Sequence, residues 1–187
     1  MRKTVLIGGI AVASAVLLGA CSSNDSMSGM DPSAPSSSAQ AAADHNADDV
    51  TFAQQMVPHH SQALEMARLV PSRSTNPKVA DLASRIAKAQ DPEIQQMHGW
   101  LTSWGAGMPG MPGMMSDDDM KKLEAAKGAE FDKMWLDMMI EHHQGAVDLA
   151  RTELSKGGNA DAKALARKII DAQQAEITEM RGLLRPS

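Results

Sequence analysis

A shift of 83 residues lays the chain upon itself: Met56–Leu101 aligns with Met139–Leu184 without a gap, and eighteen of the 46 positions are identical. Both copies carry adjacent histidines, His59–His60 and His142–His143, in a chain with only six. Both also carry Q-x-x-E-I-x-x-M, from Gln90 to Met97 and from Gln173 to Met180, with the glutamine 31 residues after the first histidine. Each copy is one supersecondary unit, which cannot bury its apolar face alone. The two must therefore pack on each other, and a pseudo-two-fold axis follows.

Helical periodicity identifies the unit as an αα-hairpin. Phe52, Met56, Ala63, Met66, Ala67 and Val70 form a stripe that predicts a first helix over about Asp48 to Val70. Asn76 as N-cap, with Pro77 in the first turn, opens a second that ends near Trp104, before Gly105. Ser116, with Asp119 three residues on, resembles a capping box and starts a short helix to about Ala126. A long third helix runs from about Ala129 to Ser155, and a fourth opens at Asn159 and ends near Arg185. No segment alternates with the period of a strand. The fold class is all-α, two repeated αα-hairpins closing into a four-helix bundle.

The domain does not begin at residue 1. Residues 1–21 read as a lipoprotein signal peptide, with a basic start, MRK, and an apolar run of about seventeen residues that is short for a membrane span. The run ends in LGAC, and small residues before the chain's one cysteine, Cys21, resemble a lipobox, where that cysteine is lipidated. Residues 22–46 are mostly Ser, Ala, Asp, Pro and Gly and read as a disordered tether. As a flexible coil its roughly 25 residues would hold the domain on the order of 25–30 Å from the anchor. Residues 47–187 form the bundle domain, with repeats over about 48–105 and 129–185 and a Met-rich connection at 106–116. The expected location is the outer side of the cell membrane, with the membrane as partner through the lipid on Cys21. Protein partners are not legible.

Loss of the signal removes Arg2 and Lys3 and no acid, leaving 16 basic and 23 acidic side chains, a formal charge of −7. With no basic cluster, nucleic acid is not an expected partner. Nor does any free thiol remain, so a metal would have to be held without thiolate.

The polar residues of the repeat lie on the faces that the stripes mark as buried. In the second helix the face through Val79, Leu82, Ala83 and Ile86 continues to Gln90, Glu93, Met97 and Leu101. The fourth helix places Gln173, Glu176 and Met180 likewise. In the third, Trp135, Met138 and Met139 precede His142 and His143. Adjacent side chains on a helix point about 100° apart, so one histidine of each pair faces inward and the other toward a neighbouring helix. Met56 and Met139 stand one turn before their histidine pairs. The candidate metal ligands are thus His59, His60, Met56, Glu93 and Met97 in one half, and His142, His143, Met139, Glu176 and Met180 in the other.

A metal-free structural module accounts for one His–Glu hydrogen bond per hairpin, a polar clamp that fixes register. It does not account for the second histidine of each pair. Transition-metal binding does, and imidazole with thioether sulfur and no thiol favours copper. Iron, manganese and zinc stay open. Met108, Met111, Met114 and Met115 in the connection resemble methionine-rich Cu(I) sites and equally suit an apolar loop over the bundle end. A di-metal redox enzyme is the alternative, but such bundles typically use four carboxylates and two histidines with Glu-x-x-His motifs, and here the proportion is reversed. Binding rather than catalysis is the expectation, with buffering or sequestration as the role. Pro58 and Pro92 each remove a helix hydrogen bond and should bend the first half locally where the second has Glu141 and Ala175, so the half-sites need not be equivalent.

The two copies of HHxxA-x3-A-R and Q-x-x-E-I-x-x-M resemble a bacterial secreted family known as domain of unknown function 305, over about residues 48–185. The resemblance implies a ferritin-like four-helix fold, a paired-histidine motif carried here by His59, His60, His142 and His143, and a link to copper through some relatives.

Overall fold

The computed structural model describes residues 44–107 and 116–185. Among them run five helices and no strand: α1 (Ala47–Arg73), α2 (Pro77–Ser103), α3 (Asp117–Ala125), α4 (Gly128–Lys156) and α5 (Ala160–Leu183). All the predicted helices are present, with ends within three residues of those expected. Cys21, the signal segment, most of the tether, and Met108, Met111, Met114 and Met115 lie outside the described residues. No helix among the described residues is long and apolar enough to cross a membrane.

Local chemistry sets the helix ends. Asn46 caps α1 by accepting from the backbone N–H groups of Asp48 and Asp49, and the Asp49 carboxylate returns a bond to the Asn46 N–H. Asn76, Ser116 and Asn159 cap α2, α3 and α5 in the same way. Such caps satisfy N–H groups that have no partner within the helix. Gly105 follows α2 at φ 66°, a conformation that costs glycine little. α1 continues unbroken through Pro58 and Pro71, and α2 through Pro92.

α1 packs against α2, α4 against α5, and the two hairpins join through α1 and α4. Their apolar side chains form two clusters. One gathers the C-terminal half of α1, the N-terminal half of α2, α3, the start of α4 and the end of α5, around Met66, Leu82, Leu123, Phe131, Trp135 and Met180. The buried Trp135 indole donates to Met66 O at 3.0 Å. The other gathers the opposite halves of the four long helices, around Phe52, Met56, Met97, Leu101, Ala146 and Ile169. Between the clusters each long helix contributes polar residues: His59 and His60, Gln90 and Glu93, His142 and His143, Gln173 and Glu176. The polar layer crosses the middle of the core.

At the α1 N-terminus the Asp49 carboxylate accepts from the N–H groups of Gly158 and Asn159, at 3.0 and 2.8 Å, which ties α1 to the α4–α5 turn. Glu153 is buried against Asp49. Burial, with the negative charge of the neighbouring Asp49, pushes the Glu153 carboxyl up to about 8. A Cβ on Gly157 would collide with this carboxyl.

Candidate functional site

The second histidine of each pair meets the glutamate of its own hairpin. His60 on α1 donates from Nε2 to Glu93 Oε2 on α2 at 2.9 Å, and His143 on α4 donates to Glu176 Oε2 on α5 at 2.8 Å. A carboxylate accepts, so the proton of each bond sits on Nε2, and Nδ1 of the His60 ring, which burial keeps neutral, presents a lone pair. Nδ1 of both rings is buried with no hydrogen-bond partner.

Turned about 100° away, the first histidines leave their own hairpins and meet each other. The rings of His59 and His142 lie 3.6 Å apart between centroids, with planes inclined at 39°. His59 Nδ1 and both nitrogens of His142 also lack partners. Buried polar atoms are nearly always paired. Five imidazole nitrogens of this layer thus stand without a hydrogen-bond partner among the described residues.

Burial also removes charge from these rings. It pushes His59 down to about 3, helped by the nearby rings of His60 and His143. It holds His142 well below the ordinary histidine value, with His59 and His143 adding to the effect. His60 is lowered by burial although Glu93 opposes the shift. These three rings are neutral at pH 7. For Glu93, burial alone would raise the carboxyl, but the His60 hydrogen bond and the Lys168 ammonium outweigh it and hold it low. Lys168 Nζ on α5 lies 3.2 Å from Glu93 Oε1.

The methionines flank this layer. Met56 and Met97 are fully buried in one apolar cluster, and Met139 and Met180 in the other, so each half has its own pair on its own side. All ten candidate ligands within the repeats thus lie in the polar layer or its apolar margins. Among the described residues no group of three His, Cys, Asp or Glu side chains is placed to hold a metal ion. Gln90 and Gln173 are buried in the layer as well, with both amide atoms of Gln90 and Oε1 of Gln173 unpaired.

Two participants, and one buried acid outside the layer at the α4–α5 turn, are not singled out by the sequence reasoning. Lys168 is one. Gly145 is another: a Cβ there would stand 3.3 Å from His59 Nε2, so its absence makes room for the crossing imidazole. A glycine inside a helix costs stability, and its place two residues after His143 was the available signal. The buried acid is Glu153, at the repeat position filled in the first half by buried Val70. An acid aligned with a core valine marks a buried carboxyl.

Residues 49–184 match the model of the domain of unknown function 305. The chain belongs to the DUF305 family. Among solved structures it is similar to a Streptomyces coelicolor protein described as a secreted DUF305 protein, at 35% identity and TM-score 0.70, covering 73% of this chain and 91% of that one. A DUF305 fragment from Deinococcus radiodurans matches at 31% identity and TM-score 0.69, covering 74% and 96%. CopM in its Cu(I)-bound form matches at 30% identity and TM-score 0.66, covering 72% and 94%, and CopM is also known in Cu(II)-bound and Ag-bound forms. A curated relative, the uncharacterized protein L153 of Acanthamoeba polyphaga mimivirus, is 35% identical over 54 residues, and the match spans about a third of its length (36%).

Proposed function

We propose that this DUF305 protein is an exported, lipid-anchored copper-binding protein whose two hairpins form a ferritin-like four-helix bundle, with copper buffered or sequestered in its polar layer. The observation that carries this reading is the set of five buried imidazole nitrogens without partners. Nδ1 of His60 and His143, the free nitrogens of His59 and His142, and the sulfurs of Met56, Met97, Met139 and Met180 are the donors. Glu93 and Glu176 hold the ring protons of His60 and His143 and so aim Nδ1, the arrangement common around metal-bound histidine. The neutral rings of His59, His60 and His142 have no proton to give up when a metal enters at pH 7. The copper-bound and silver-bound forms of CopM support the choice of a soft d-block ion. Cys21 is the proposed anchor, with the membrane as partner.

The two His–Glu bonds favour a second reading, a metal-free clamp, since they alone fix hairpin register. That reading leaves His59 and His142 without a purpose. A di-metal redox enzyme fits less well, because both carboxylates of the layer are engaged by histidine.

The test is a Cu(I) titration of the full chain against a competing chelator, with Zn(II), Fe(II) and Mn(II) in parallel. The control changes His59, His60, His142 and His143 to alanine. Tight Cu(I) binding lost in the control is expected. Equally weak binding of every metal by both proteins would leave the clamp as the function of the layer.

A further inference from the structure

Lys168 and Arg85 occupy equivalent positions, 83 residues apart in the repeat, yet they choose different carboxylates. Lys168 on α5 reaches Glu93 on α2. Under the pseudo-two-fold Arg85 on α2 should reach Glu176 on α5. It bonds Glu179 instead, at 2.7 and 2.8 Å, and Asp81 on its own helix at 2.9 Å. The sequence supplies the reason. Asp81 and Glu179 have Ala164 and Gln96 as their counterparts, so neither acid is offered to Lys168. Lys168 therefore takes the glutamate of the polar layer, while Arg85 is drawn off to the surface.

We infer that Lys168 acts as an internal counter-ion that makes the two half-sites unequal in cation binding. The half-site of His143, Glu176, Met139 and Met180 loads first, and that of His60, Glu93, Met56 and Met97 loads second, against the lysine's charge. The inference rests on the copper reading. A cation approaching His60 meets an ammonium already bound to the carboxylate that orients the ring; one approaching His143 does not. The Lys168 side chain is 65% exposed, so it can swing into solvent when a cation enters. Solvent screening keeps the penalty small, about fivefold in affinity.

The test uses the full chain labelled with 15N-histidine and titrated with Ag(I) as the probe, with chelator competition giving the affinities. His143 resonances are expected to move before those of His60, in two steps about fivefold apart. Lys168→Met should merge the steps by tightening the His60 half-site, and Arg85→Met should leave them separate. Simultaneous loading in the wild type, His60 loading first, or a gap unchanged by Lys168→Met would overturn the inference and leave the copper reading intact. No histidine shift in either half at saturation is a different result: it removes the copper reading and this inference together.

Discussion

The two hairpins place the same side chains in the same register, but they do not hold them equally. In the first, Glu93 accepts from both His60 and Lys168 and is almost fully buried. In the second, Glu176 accepts from His143, and its side chain is 13% exposed. The outer histidines differ too, since His59 crosses into the space left by Gly145, while the position equivalent to Gly145 in the first half is Gln62. A duplicated sequence thus yields equivalent ligands in inequivalent surroundings. The difference comes from residues outside the ligand set.

The largest expected consequence is in stability. Glu93→Ala strands a buried His60 N–H and removes the solvent-screened contact to Lys168, and it should cost about 3 kcal/mol in urea unfolding of the metal-free protein. Glu176→Ala strands only the His143 N–H beside partial solvent and should cost about 2 kcal/mol. Equal costs would mean that the lysine adds nothing to the first half.

A second difference lies at Val70 and Glu153, equivalent positions of which one is apolar and the other acidic. The Glu153 carboxyl sits at about 8 in the folded protein, against an ordinary 4.5. The native state keeps a proton that the unfolded chain releases above pH 4.5, so the stability linked to it is lost as pH rises from about 4.5 through 8. Glu153→Gln removes that dependence. Relative to wild type its stability should rise across the same window in urea unfolding, and most at pH 8. Parallel stability curves for the two proteins would place Glu153 in an ordinary solvated state.

The smallest effect concerns Gly145. Alanine would gain helix propensity worth up to about 1 kcal/mol. Against this, the new Cβ presses on His59 Nε2 at 3.3 Å, and His59 already lies against the tilted ring of His142, 3.6 Å away between centroids. A net loss of about 1 kcal/mol is expected for Gly145→Ala in thermal unfolding. A gain would show that the crossing ring is free to move.

Much of this architecture was legible from the repeat. Stripes at helical spacing and the caps Asn76, Ser116 and Asn159 located the helices, because helix ends are fixed by local chemistry. One His–Glu bond per hairpin was legible as the metal-free alternative, from both residue types on core faces, but not that the second histidine of each pair makes it. What was not legible depends on distance across the fold. Whether Lys168 or Arg85 turns inward is decided by acids that lie on the opposite hairpin, as Glu179 does. Asp49 and the turn it caps are 109 and 110 residues apart in sequence. Gly145 makes sense only once His59 is seen to cross from α1 to α4.

The central claim is that Glu93 and Glu176 hold the Nε2 protons while Nδ1 of His60 and His143 binds the metal. Long-range 1H–15N correlation spectra of the 15N-histidine protein, before and after saturation with Ag(I), test it most directly. The prediction is a large shift at Nδ1 of both rings, with Nε2 still protonated. A shift at Nε2 with loss of its proton, or four histidine spectra unchanged by the metal, would contradict it.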